Sequence, residues 1–153
     1  MELLVRARDL AITDFPAVRP DSSALAAVQL LAKERLPGLI VVDENHRPFT
    51  ILPGTYVLKM AVPGYFLSDP MLARVIDEAA SDVFVDQLRD KSIAQLLPDV
   101  LRELPVVDDD ANPVEIAALM ARSRSPLVAV VNDDHVLIGA ITLNGLLERV
   151  LAQ

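Results

Sequence analysis

The chain has 153 residues, 52% of them apolar, with 14 basic against 22 acidic side chains and a net charge of −8. That apolar fraction excludes a disordered polymer, and the acidic balance argues against nucleic acid or an anionic membrane, both of which need a basic face. With no cysteine there is no disulfide framework, thiolate nucleophile or cysteine metal site.

Val5–Ala11 reads as a short lead-in, followed by an extended stretch around Pro16–Val18. Asp21, Ser22 and Ser23 offer N-cap oxygens to a helix whose apolar face is Ala24, Leu25, Ala27, Val28, Leu31 and Ala32. Pro37 stops it, Leu39–Val42 forms a buried β-branched strand, and Asp43–Arg47 carries hairpin-turn chemistry. A second strand spans Pro48–Leu52, and a helix starts at Tyr56–Leu58. Residues 60–90 read as a helical connector, opened by Asp69-Pro70 and carried by Leu72, Val75, Ile76, Ala79, Val83, Phe84 and Leu88.

The same order then recurs. Lys91–Leu97 is a second lead-in and Pro105–Val107 is extended. Asn112 caps a helix with Pro113 at its first position and Val114, Ile116, Ala117, Leu119, Met120 and Ala121 on its apolar face. Pro126 stops this helix, Leu127–Val131 is a strand, and Asn132–His135 is a turn. Val136–Thr142 is a strand and Leu146–Leu151 a helix. Residues 14–58 fall on 103–147 without a gap, matching Pro16 to Pro105, Val18 to Val107, Pro37 to Pro126, Val41 to Val130 and His46 to His135. The predicted fold class is α/β (α+β): two β-α-β-β-α repeats, residues 1–59 and 91–153, joined by the connector into one module.

The segments Ala118-Leu119-Met120, Val130-Val131-Asn132, Gly139-Ala140-Ile141-Thr142 and Leu146-Leu147 resemble the cystathionine-β-synthase (CBS) domain. Its pattern is A-x-M, then V-V-D, then G-h-h-T-x-x-D-L-L with h apolar. The resemblance covers essentially the whole chain as a tandem pair, or Bateman module, whose first copy is degenerate. It implies two repeats about a pseudo-twofold axis, sheets facing, with two clefts for AMP, ADP, ATP or S-adenosylmethionine. It also implies a homodimer stacked through helices, a regulated partner enzyme or transporter, and no catalysis or required cofactor.

In the family's ribose motif Thr142 keeps the hydroxyl, while Gly145 stands where a carboxylate belongs, and Asn144 is one residue early. The first copy has Pro53 and Tyr56 at these positions and Thr50 in place of Gly139. The resemblance further implies that Gly139 belongs to the ligand motif and that Pro126, Leu127 and Ala129 present backbone groups to a base. Thr142 is open to a second reading, a strand-end threonine capping the next helix.

Lys33 and Arg35 fall on Arg122 and Arg124. Arg124 is the first candidate for a phosphate-facing cation, and helix C-terminal charge complementation is the plainer role of all four. His46 and His135 read as solvated turn residues. The runs Asp108–Asp110 and Asp133-Asp134 read as solvated too, since neither has a calcium-loop pattern. No G-x-S-x-G, P-loop or H-E-x-x-H is present, so an enzyme is not expected.

Glu2 and Arg6 interrupt any signal-peptide core, and no apolar run approaches the ~18 residues of a membrane span. The expectation is a cytoplasmic regulatory sensor without membrane insertion. The alternative is a dimerisation or docking scaffold whose nucleotide sites have decayed.

Overall fold

Two aliphatic strands, buried on both faces, organise the molecule. The computed structural model describes residues 4–69, 71, 74 and 79–152. In chain order the first half contains α1 (Ala7–Leu10), β1 (Ala17–Val18), α2 (Ala24–Lys33), β2 (Gly38–Val42), β3 (Pro48–Pro53) and α3 (Gly54–Ala61). The connector holds α4 (Gly64–Ser68) and α5 (Ala80–Leu88). The second half contains α6 (Ile93–Leu96), β4 (Val106–Asp108), α7 (Pro113–Ser123), β5 (Leu127–Val131), β6 (Leu137–Thr142) and α8 (Leu143–Leu151).

Each half builds a three-stranded sheet in which the middle strand pairs parallel to the first and antiparallel to the third. The two registers correspond position by position: Val41 lies opposite Thr50, Val130 lies opposite Gly139, and each ladder slips at the next residue. β2 and β5 are buried along their whole length. Successive strand side chains point to opposite faces, so Leu39 and Val41 turn toward one helical core while Ile40 and Val42 turn toward the other sheet. In β5, Val128 and Val130 meet the helices, and Leu127 and Ala129 meet the first sheet. The shared core between the sheets gathers Phe15, Ile40, Val42, Ile51, Leu104, Leu127, Ala129, Leu137 and Ala140.

Helix boundaries follow the cap chemistry. The Ser23 hydroxyl accepts from the Ala26 amide at 3.2 Å and opens α2, and the Asn112 carbonyl oxygen accepts from the Glu115 amide at 2.9 Å and opens α7. The chain leaves both helices through a left-handed arginine, Arg35 at φ 53° and Arg124 at φ 55°, two residues before Pro37 and Pro126. The hairpins are equally matched. Asp43 Oδ1 accepts from the Asn45 and Arg47 amides, Asn132 Oδ1 accepts from the Asp134 and Val136 amides, and His46 and His135 both take positive φ. Both histidines are exposed.

The lead-in helices are exchanged between the halves. In α1, the Ala7 amide donates to Ala111 at 2.8 Å and the Arg8 amide to Asp109 at 2.9 Å, and Ala7 is fully buried in the second core. In α6, the Ile93 amide donates to Ser22 at 2.9 Å and the Ala94 amide to Pro20 at 2.8 Å, and Ile93 and Leu96 complete the first core. Both helices begin with the same reciprocal bond, Arg6 N–H to Asp9 and Ser92 N–H to Gln95. Each repeat is thus sealed by the segment that precedes the other.

In the connector, α5 sends Leu88 into the first core. Asp69 ends α4, its amide donating to the Tyr65 carbonyl, and its carboxylate accepts from the Met71 amide at 3.1 Å, the bond expected of a residue that opens a helix. Pro70, Leu72, Val75 and Ile76 lie outside the described residues.

Candidate functional site

The β6–α8 turn of the second repeat faces the α2–β2 turn of the first across a cleft. One lobe, of about 300 Å3, is lined by Arg35, Leu36, Pro37, Pro126, Thr142, Leu143 and Asn144. The other, of about 350 Å3, is lined by Ile12, Asp14, Phe15, Pro16, Glu34, Arg35, Leu36, Pro37 and Thr142. The lobes share Arg35, Leu36, Pro37 and Thr142, and each is at the small end of the range in which ligand pockets fall.

Thr142 is the N-cap of α8, its hydroxyl oxygen accepting from the Gly145 amide at 3.0 Å. Capping uses a lone pair and leaves the hydroxyl proton free to donate into the cleft, so capping and ligand binding are compatible in one side chain. Asn144, on the first turn of α8, lines the same lobe. A Cβ at Gly145 would stand 3.0 Å from the Thr142 hydroxyl oxygen.

The other sequence candidates occupy different surroundings. Pro126 lines the cleft, but its carbonyl accepts from the Leu143 amide at 3.0 Å. Leu127 and Ala129 are fully buried in the shared core. The Leu127 backbone is bracketed by the Ser125 hydroxyl, and the Ala129 amide donates to Pro105 at 3.0 Å. Gly139 lies beneath the N-terminal segment, where a Cβ would meet the Ala11 Cβ at 2.9 Å and the Ile12 carbonyl oxygen at 3.0 Å. At the corresponding position of the first repeat, the buried Thr50 hydroxyl donates to the Arg102 carbonyl at 2.7 Å.

The arginine in the cleft is Arg35. Its counterpart Arg124 borders an apolar groove of about 410 Å3 on the outer face of the second repeat, among Ala117, Met120, Ala121, Leu143, Leu146 and Leu147. Asp14, Glu34, Leu36 and Pro37 were also missed as site residues. Each lies in or just before the first repeat, whereas Thr142 ends a strand of the second. The residue pairing 35 with 124 was the available signal; which member faces which cleft depends on how the halves dock. Among the described residues no three or more histidine, aspartate or glutamate side chains gather to hold a metal ion, and no helix is long and apolar enough to cross a membrane.

At the other end of the sheets the two hairpin tips touch. The Leu137 amide donates to the His46 carbonyl at 2.9 Å, and Arg47 Nε donates to the Asp134 carbonyl at 3.1 Å. The Asp43 carboxyl is held below its ordinary value of 3.8, chiefly by the hydrogen bond from the Arg47 amide; partial desolvation opposes this and the Asn45 amide reinforces it.

Two strand–helix–strand–strand–helix units, facing through their sheets and enclosing a cleft at the seam, define a paired α/β repeat module. The CBS domain matches residues 7–52 and 93–152, and the chain belongs to the CBS-domain family as a tandem pair. A CBS domain-containing protein of unknown function from Kribbella flavida is 49% identical, with 97% of this chain and 99% of that one aligned at a TM-score of 0.85. CBSX2 in complex with AMP is 21% identical over 95% of this chain and 96% of its own, at a TM-score of 0.65. CBSX2 from Arabidopsis thaliana gives 19% identity over 97% and 96%, at a TM-score of 0.72. No curated protein matches this sequence.

Proposed function

We propose that the chain is a regulatory module that binds an adenosine-type nucleotide in the cleft between Thr142 and Arg35 and thereby biases a partner protein. The observation that carries this reading is the meeting, in one cleft, of a hydroxyl and an amide from the second repeat with a guanidinium from the first. Arginine's planar fork suits a phosphate. Thr142 and Asn144 supply donors and acceptors of the kind a ribose or base requires. The similarity to CBSX2 in its AMP complex supports the ligand class. Because the walls come from different repeats, a bound ligand favours whichever inter-repeat angle brings them together, in proportion to its differential affinity for the two arrangements.

Calorimetry and thermal shift with AMP, ADP, ATP and S-adenosylmethionine test this. A ligand at 100 times its Kd raises stability by about 2.7 kcal/mol. Thr142→Ala is expected to lose that increment in addition to the cap, so the ligand-induced shift is compared with each variant's own ligand-free melt. Silence across the panel at millimolar ligand removes the proposal.

A second reading, a homodimerisation or docking scaffold, is favoured by the outer face of the second repeat. Leu143, Leu147, Val150 and Leu151 form an exposed stripe on α8 beside the apolar groove, a pattern that marks interaction surfaces. Light scattering tests the homodimer: wild type is expected at twice the chain mass and Leu147→Asp at once. A wild-type chain at single mass rejects it.

A further inference from the structure

We infer that Asp14 supplies the carboxylate that receives a ligand's vicinal diol, and that the cleft selects a nucleotide with a single phosphate over polyphosphates; this rests on the nucleotide reading of the same cleft. The position of Asp14 is fixed from both sides. Ile12 pairs with Ala140 through hydrogen bonds of 2.8 and 3.2 Å, which fastens the N-terminal segment to β6 two residues before Thr142. The Phe15 amide then donates to the Ile12 carbonyl at 3.3 Å, closing a turn over Thr13 and Asp14, and the Phe15 side chain is buried in the shared core. Asp14 itself is exposed and lines the same lobe as Thr142.

A vicinal diol presents two O–H donors, and an ionised carboxylate is the side chain that offers two acceptor oxygens and no competing donor. Of the polar side chains lining the two lobes, Arg35 only donates, and Thr142 and Asn144 do both; Asp14 and Glu34 only accept. Glu34 ends α2 next to Arg35, whereas Asp14 is held on the strand edge that carries Thr142. The charge balance sets the second part of the inference. With one guanidinium and two carboxylates, the lining has a cation for one phosphate only, and each further charge of a triphosphate meets carboxylates with no cation to offset them.

Calorimetry of the full chain with AMP, 2′-deoxy-AMP and ATP decides it. Wild type is expected to bind AMP about tenfold more tightly than 2′-deoxy-AMP, the value of one charge-assisted hydrogen bond, and more tightly than ATP. Asp14→Asn should weaken AMP more than 2′-deoxy-AMP, which keeps its 3′-hydroxyl, and so bring the AMP to 2′-deoxy-AMP ratio toward one, while Glu34→Gln keeps the ratio. An unaltered ratio in Asp14→Asn, its loss in Glu34→Gln, or tighter binding of ATP than AMP overturns the inference and leaves the nucleotide reading standing. A wild-type chain that binds none of the three overturns both.

Discussion

The two repeats share a backbone and differ in what their side chains make of it. Both break their sheet ladders one residue after equivalent valines, both leave their first long helix through a left-handed arginine, and both turn their hairpins on an oxygen accepting from two amides. At the same equivalent positions the chemistry diverges: Thr50 against Gly139, Pro53 against Thr142, Asp43 against Asn132. Duplicated geometry therefore does not imply duplicated function. The second repeat gives a hydroxyl and a side-chain amide to the described cleft, and the first gives an arginine and two carboxylates.

The exchange of lead-in helices offers the largest test of this comparison. Fragments 1–59 and 91–153, cut at the repeat boundaries, each lose buried residues that the other carries: Ile93 and Leu96 from the first core, Ala7 from the second. Neither should show a cooperative melt by circular dichroism. Independent two-state melting of both would show that the exchange contributes nothing.

Gly139→Val comes next, because its Cβ would press on the Ala11 side chain and the Ile12 carbonyl. It is expected to cost about 1–3 kcal/mol in urea denaturation. The matching change, Thr50→Val, loses only the bond to Arg102, a cost of about 1 kcal/mol. Equal costs would erase the contrast between the two sheet edges.

At the helix starts, Thr142→Ala should lower ligand-free stability by about 1 kcal/mol through the lost cap. Pro53→Ala should change little, since Pro53 provides no side-chain cap to α3.

The smallest effect is the pH response of the hairpins. The folded-state value of Asp43 lies below 3.8, so its contribution is present above that value and disappears as pH falls through the lower, folded one. Asn132 does not titrate. Protection of the Asn45 and Arg47 amides, each exchange rate being referred to that of an unstructured chain at the same pH, should fall on acidification while protection of Asp134 and Val136 holds. Parallel behaviour of the two turns would remove this distinction.

Much of the fold was legible because local rules and the repeat agreed. Ser23, Asn112 and Pro113 mark helix starts by cap chemistry, and the burial of β2 and β5 along their whole length follows from runs of aliphatic residues bounded by prolines and polar turns. The family follows from the second repeat's motif together with the gapless offset. The cleft was only half legible. Thr142 and Asn144 line it, but so do Asp14 and Arg35, and that juxtaposition arises from docking two sheets and folding the N-terminal segment back along β6. Backbone groups expected at Leu127 and Ala129 are enclosed by pairing and by the shared core, a consequence of long-range packing that local spacing does not encode.

The crossed attachment of α1 and α6 has a consequence for synthesis on the ribosome. The first repeat cannot close its interior until Ile93 and Leu96 have been made, and Ala7, translated almost at the start, must wait for Ile116 and Val130. A chain with such distant closures gathers its stability late and in one step, so a nascent polypeptide halted midway would expose the aliphatic face of β2 with nothing to cover it.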